Sequence, residues 1–428
     1  MSKPSLNPIA KATPECIRSL LSQAQLQQNV DWVKRVAEIQ ARVQKEGDAA
    51  LRHYARQFDK AELKNLRVTP QEIEAAFTQI DPKVLKALKV AQKNITRYHR
   101  QQRPKNWRQT QKNGTYAGVQ YGPLNAAGLY VPGGRANYPS TVLMNAIPAA
   151  IAGVPHRVMT TPPRADGSIA PELLVAAALC DVHTIIKSGG AQAIFALAYG
   201  TESVPKVDKI VGPGNVYVTL AKQAVYGQVD IDKPAGPSEV LVVVDDLQYT
   251  SYAAAEMLAQ LEHDPEASAV VLSTKEAVLK AVQAALQTQF PTCSRQEILE
   301  KSIQNAHFLC TQSEAHTQDT LNALASEHVV ILRDDADSWL PKIRHAGSIF
   351  LGPHTPVALG DYIAGPNHVL PTAGAARFAS PLGVMDFMKY SAYLHYTPGA
   401  LLAAEPHLHA LTSAEGFDAH YNAVRVRL

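Results

Sequence analysis

From residue 128 onward one unit recurs along the chain: a short apolar run, a turn of Gly or Pro, and a stretch of helical length. GLYV is followed by PGG, RVMTT by PP, TIIK by SGG and KIV by GPG. Strands that alternate with helices require right-handed crossovers, which lay the strands parallel and cover both faces of the sheet. A second series begins at EVLVVVDD (239–246) and continues through AVVLST, HFLCT and VVILRDD. The expected fold class is α/β, with two mostly parallel-sheet units and a cleft between them. The first hundred residues read mainly helical, as does the chain after about 381, so both ends are expected to be arms rather than independent folds. Each Gly or Pro turn follows the carboxyl end of its strand, the edge at which open α/β sheets bind ligands. There is no low-complexity segment and no strict repeat, although the two units could be structurally alike.

A chain of 428 residues can bury a large core and hold more than one domain. Its 41 basic and 38 acidic side chains leave a formal charge of +3 with no long run of either sign, so neither nucleic acid nor a membrane surface is an implied partner. Cys16, Cys180, Cys293 and Cys310 lie far apart, which argues against a disulfide framework and a cysteine zinc site. The most extended apolar stretch, VLMNAIPAAIAGV from 142, is short and broken by Asn145 and Pro148, and the N-terminus lacks a basic-then-apolar signal pattern. A soluble, unexported protein of the reducing cytoplasm is expected.

Polar residues in several places could carry chemistry. Around MLAQLEHDP (257–265), Ala254, Met257, Leu258 and Leu261 recur at helical spacing, with Glu256, Gln260 and His263 on the opposite face. Gln260 and His263 are i, i+3 neighbours able to reach one point, which suits a metal but also an ordinary solvated face. GDYIAGPNHVLPT (360–372) reads as a shaped loop presenting Asp361 and His368, with Asp361 as a simple helix cap the plainer alternative. AEGFDAH (414–420) adds Glu415 and His420, which alone look like ordinary surface. Gln260, His263, Asp361 and His420 together make a nitrogen and oxygen ligand set without thiolate, suited to an exchangeable zinc. The dipeptide Glu327-His328 opens the apolar run VVIL. Its imidazole can take a proton near neutral pH and its carboxylate can activate water, as alcohol oxidation and aldehyde hydration require; an exposed strand start is the plainer alternative. VPGGRANYPST (131–141) is a Gly-rich turn between strand and helix without G-x-G-x-x-G, so the standard dinucleotide fingerprint is absent.

As ordered blocks the chain resembles the histidinol dehydrogenase family, whose zinc enzymes oxidise L-histidinol to L-histidine with two NAD. The blocks are GLYVPGGRANYPSTVLMNAIPA, KSGGAQAIFALAYGTESVPKVDKIVGPGNVYVT, DKPAGPSEVLV, MLAQLEHDP, SEHVVIL, GDYIAGPNHVLPTAGAARFASPLGVMDF and EGFDAH, covering most of residues 120–420 in order. The resemblance implies two incomplete Rossmann-like domains with small helical N- and C-terminal segments. Its expected boundaries are an arm over 1–26, a first α/β domain over 27–129 and 239–381 with the zinc and catalytic residues, a second over 130–238 that contacts NAD, and a C-terminal segment over 382–428. It further implies zinc on Gln260, His263 and Asp361 of one subunit and His420 of the other subunit of a homodimer. His328 would be the general base of both oxidations and Glu327 the residue that activates water. Substrate contacts would be Ser238, Gln260, His263, Glu327, His328, Asp361, His368, Glu415 and His420, and NAD contacts Tyr130, Gln192 and Asn215. Two alternatives stand beside this four-electron dehydrogenase: a relative that oxidises another alcohol such as a sulfonated diol, and a non-catalytic binding protein that keeps the fold.

Overall fold

The computed structural model describes residues 4–24, 30–133, 137–233 and 236–428. The chain opens with strand β1 (Ile9–Lys11) and helix α1 (Pro14–Ala24), followed by α2 (Val30–Glu46), α3 (Asp48–Tyr54), α4 (Pro70–Gln79) and α5 (Pro82–Arg100). Helix α4 starts where Thr69 and Glu72 satisfy each other's backbone amides in a capping box and Pro70 presets the first turn. Strands β2 (Trp107–Thr110) and β3 (Tyr116–Pro123) then form a hairpin.

The first alternating series forms β4 (Ala126–Tyr130), α6 (Pro139–Ala152), β5 (His156–Thr161), α7 (Pro171–Leu179), β6 (Thr184–Lys187), α8 (Gly190–Tyr199), β7 (Lys209–Val211), α9 (Val216–Val225) and β8 (Asp230–Ile231). These strands make a parallel sheet in the order β6-β5-β4-β7-β8. The second series forms β9 (Glu239–Val244), α10 (Thr250–Leu261), β10 (Ser268–Ser273), α11 (Glu276–Gln289), α12 (Gln296–Ser302), β11 (Ala306–Cys310), α13 (Glu314–Leu324), β12 (His328–Leu332), β13 (Ser348–Leu351) and α14 (Val357–Tyr362). Its parallel order is β11-β10-β9-β12-β13, with β1 added beyond β11. Numbered within each series, both sheets read 3-2-1-4-5, so the two units share one topology without sharing a sequence repeat. The aliphatic runs of β9 and β12 are buried almost throughout, as strands covered on both faces must be.

Packing departs from the expected boundaries. Helices α2 and α3 join α8 and α9 in one core against the middle sheet, and α4 and α5 join α6 and α7 in the core on its other face. Residues 30–100 therefore belong with the 126–231 sheet rather than with residues 239–381. The small crossover helices leave apolar outer faces that the N-terminal helices cover. The first residues are not simply a helical arm either, because β1 extends the C-terminal sheet and α1 packs beside α13.

The chain after 381 also differs from the all-helical expectation. Strand β14 (Met388–His395) pairs antiparallel with β3 over its whole length, making a three-stranded sheet β14-β3-β2. Helices α15 (Pro398–Glu415) and α16 (Asp418–Arg425) follow and pack chiefly on each other. From Leu401 to Leu428 no residue is buried, and Leu402, Leu411, Phe417 and Val426 are exposed.

Candidate active site

The two sheets contribute opposite edges. His328 is the first residue of β12 and Glu239 the first of β9, so the titratable groups stand at the amino edge of the C-terminal sheet. Tyr130, Gln192 and Asn215 stand at the carboxyl edge of the middle sheet, at the end of β4, in the first turn of α8 and at the N-cap of α9. Thr141, in the first turn of α6, bridges the two: its hydroxyl lies 3.2 Å from Nε2 of His368, whose Nδ1 lies 2.8 Å from the Asp361 carbonyl. Burial lowers the pKa of His368, and a neutral ring that donates from Nδ1 and accepts at Nε2 satisfies both contacts.

Glu327 and His328 are both buried. The Glu239 amide donates to Oε2 of Glu327 (2.9 Å), and Nδ1 of His328 lies 3.2 Å from the Glu239 carbonyl and 3.5 Å from Oε2 of Glu327. Carbonyl and carboxylate both accept, so Nδ1 carries a proton. That Nε2 has no hydrogen-bond partner and faces Oδ1 of Asp361 at 3.7 Å. Burial acts to lower the pKa of His328, but Glu327 and Asp361 outweigh it and hold the imidazole above its usual range. Burial raises the carboxyl of Glu327, and that of Glu239 is raised by burial and then by the charge of Glu327. Glu239 was not among the residues singled out in the sequence. It opens an apolar strand directly after Ser238, and its role lies in its backbone and in an Oε1 that accepts from the Ala373 amide at 2.7 Å.

Helix α10 carries Gln260 but ends at Leu261, so His263 sits one bend beyond it, with its amide donating to the Gln260 carbonyl. The face opposite the leucines is not solvated. Glu256 is buried and accepts from the Val357 amide (3.2 Å), while Gln260 is 2% exposed and its Nε2 has no partner. Asp361 lies in the last turn of α14 rather than in an open loop. Beside His263 a cleft of about 380 Å³ runs between the units, lined by Leu88, Tyr138, Ser140, Arg295 and Tyr362.

Gln260, His263 and Asp361 bring one amide, one imidazole and one carboxylate. Among the described residues no three His, Cys, Asp or Glu side chains gather as a metal site. Of the three, Gln260 is buried with one end of its amide unpartnered. Glu415 and His420 are exposed on the C-terminal arm, where the His420 ring packs on Phe417.

The carboxyl edge of the middle sheet also carries unmet hydrogen-bonding capacity. Oε1 of Gln192, Oγ of Ser188 and Oγ1 of Thr161 are buried without partners, and Gln192 and Ser188 are each 2% exposed. Gly212 has φ +118°, and a Cβ there would lie 2.0 Å from the Tyr130 carbonyl, so only glycine lets β7 leave the sheet this close to β4. Part of the Gly-rich turn, Gly134–Ala136, and Pro234–Ala235 ahead of Ser238 lie outside the described residues.

A buried histidine and carboxylate at the edge of one sheet, linked through Asp361, His368 and Thr141 to the carboxyl edge of a second, doubly wound sheet, is an arrangement that suits an oxidoreductase. A family model described as histidinol dehydrogenase matches residues 22–428. The histidinol dehydrogenase of Halalkalibacterium halodurans is 47% identical over 412 residues, covering 96% of each chain, and histidinol dehydrogenase 2 of Trichormus variabilis is 48% identical over 398 residues, covering 92% of each. A solved histidinol dehydrogenase from Elizabethkingia anophelis superposes with a TM-score of 0.94 at 34% identity, over 99% of this chain and 98% of that one. The chain belongs to the histidinol dehydrogenase family.

Proposed function

We propose that the chain oxidises L-histidinol to L-histidine through bound L-histidinaldehyde, reducing two NAD for each substrate. The observation that carries this reading is the placement of His328: Nδ1 lies 3.2 Å from the Glu239 carbonyl, and Nε2 is buried, without a hydrogen-bond partner and turned toward Asp361. In the first step Nε2 takes the hydroxyl proton as hydride leaves the same carbon for NAD. Glu327 then takes a proton from water as it adds to the aldehyde, while His328 returns its proton to the aldehyde oxygen, which completes the hydrate. His328, relieved of its first proton, accepts that of the hydrate as the second hydride leaves for a second NAD. Burial, which raises the Glu327 carboxyl, brings it toward the range in which a carboxyl exchanges protons near neutral pH.

Zinc would fit Gln260, His263 and Asp361 together with His420 of the partner subunit, since Gln260 is buried with one amide end unpartnered and the arm leaves an imidazole exposed. When bound, the metal supplies a Lewis-acid anchor for the imidazole and amino nitrogens of the substrate. With Asp361 committed to a cation its pull on His328 weakens, and the ring can act as a base near neutral pH. Ser238, His368 and Glu415 of the partner subunit complete the substrate contacts, and Tyr130, Gln192 and Asn215 hold NAD. The exposed apolar arm supports a homodimer with shared sites. Among the described residues no helix is long and apolar enough to cross a membrane; as a biosynthetic oxidoreductase the enzyme would work in the cytoplasm.

The test is NADH yield against limiting L-histidinol in excess NAD, with zinc and after chelation. Two NADH per histidinol, lost on chelation and restored by zinc, are expected. One NADH would remove the hydration role of Glu327, and none would remove histidinol as the substrate.

A further inference from the structure

In doubly wound sheets the carboxylate that grips the adenosine ribose comes from the end of the second strand, about twenty residues after the Gly-rich turn. Here that strand, β5, ends Thr160, Thr161, Pro162, without an acid. The N-terminal segment brings one from outside the sheet. Residues 66–68 run antiparallel along the outer edge of β6, with the Lys187 amide donating to the Leu66 carbonyl and the Val68 amide to the Ile185 carbonyl. Lower-numbered residues therefore lie beyond the carboxyl edge of the middle sheet. Leu63 and Glu62 confirm the path, because a Cβ on Gly167, in the loop after β5, would meet their atoms at 3.2 and 3.9 Å. Asp59 precedes them and lies within electrostatic reach of the Tyr130 phenol at the end of β4.

Asp59 is half-buried, and its Oδ2 is buried without a hydrogen-bond partner. No basic side chain pairs with it among the described residues, whereas Lys187 on the same sheet edge is bound to Glu72 at 2.5 Å. An unpaired buried carboxylate costs stability, and folding alone gives no reason to place it here. It shares the edge with the unpartnered, almost fully buried Gln192 and Ser188. An acceptor-only group among such atoms lacks donors that a vicinal diol would provide.

We propose that Asp59 accepts hydrogen bonds from the adenosine ribose hydroxyls of the dinucleotide and, by its charge, rejects a 2′-phosphate, so that it selects NAD over NADP. This rests on the reading of the middle sheet's carboxyl edge as the NAD site. The carboxylate takes the place of the missing acid at the end of β5, delivered by the chain that borders β6. Its partial burial is useful here, because a carboxylate shielded from water keeps more of its repulsion toward a phosphate dianion.

The experiment measures binding by calorimetry on the zinc-loaded protein, without turnover, using NADH, NADPH and 2′-deoxy-NADH against wild type, Asp59→Asn and Asp59→Glu. Wild type should bind NADH at least a hundredfold more tightly than NADPH. Asp59→Asn should weaken NADH roughly ten- to hundredfold, the usual loss for a hydrogen bond to a charged group, while NADPH binding holds or improves. Wild type should also bind 2′-deoxy-NADH more weakly than NADH, a comparison that needs no variant to fold, and Asp59→Glu should recover part of the preference. An unchanged NADH-to-NADPH ratio in Asp59→Asn, or equal wild-type affinity for NADH and its 2′-deoxy form, overturns the role of Asp59 and leaves the NAD site standing. Failure of wild type to bind either dinucleotide overturns the site itself and this assignment with it.

Discussion

Asp59 and Glu327 are both carboxyls raised by burial, but they differ in company: Glu327 has a backbone amide and a histidine, whereas Asp59 Oδ2 has no partner. Burial pushes the Asp59 carboxyl up to about 6, from an unfolded value near 3.8. The folded chain therefore holds this proton more tightly than the unfolded chain, and ionising it costs stability as pH rises between those values. Below about pH 4 the group is protonated in both states and the cost is gone. Because the group is only half-buried, water screens part of this cost, and Asp59→Asn should stabilise the protein at neutral pH by on the order of 1 kcal/mol. The gain should shrink as pH falls from 6 to 4, which thermal melts of both proteins across that range would detect. A gain independent of pH would mean that the charge of Asp59 is not what strains the fold.

At the scale of elements, the parallel strands were legible because buried strands need unbroken aliphatic runs, and EVLVVV and HVVIL admit few other structures. Strand β14 was not legible, since MKYSAYLH is mostly exposed and its partner β3 lies some 265 residues earlier, a pairing that no local pattern announces. The site divides in the same way. Gln260 and His263 fell together through their spacing, whereas joining them to His328 and Asp361 took two crossovers and the short helix α14. Glu239 was concealed because a strand opener looks the same whether or not its carbonyl positions a histidine. Gly212 illustrates how tightly these elements meet. Its amide donates to Oδ2 of Asp232 (2.9 Å), its carbonyl accepts from the buried Lys222 (3.1 Å), and any Cβ would strike the Tyr130 carbonyl. Gly212→Ala should cost roughly 2–4 kcal/mol through backbone strain and overlap. Urea denaturation would read this as a lower midpoint with an unchanged slope.

For the whole molecule, the arm beyond Leu401 has no buried residue, yet it carries Glu415 and His420. If each site combines the body of one subunit with the arm of the other, subunits bearing His328→Ala and subunits bearing His420→Ala are inactive as separate homodimers. Refolded together in equal amounts, they should recover about a quarter of wild-type turnover, because half the dimers are mixed and each of those has one intact site. No recovery, with mixed dimers verified by mass, would show that each chain completes its own site. The C-terminal sheet adds a further restriction. Asp245, at its carboxyl edge, is taken up by the Ser273 hydroxyl, the Thr274 amide and hydroxyl, and Arg333, so the carboxylate at this edge is committed to the protein's own groups, unlike the unpartnered Gln192 and Ser188 at the same edge of the middle sheet. If the middle sheet alone holds the dinucleotide, as proposed, a subunit has one berth for two passengers that must board in turn. The spent carrier would then have to disembark while the half-finished compound stays aboard, which would make the grip on that compound, rather than the speed of either chemical step, the quality on which faithful delivery depends.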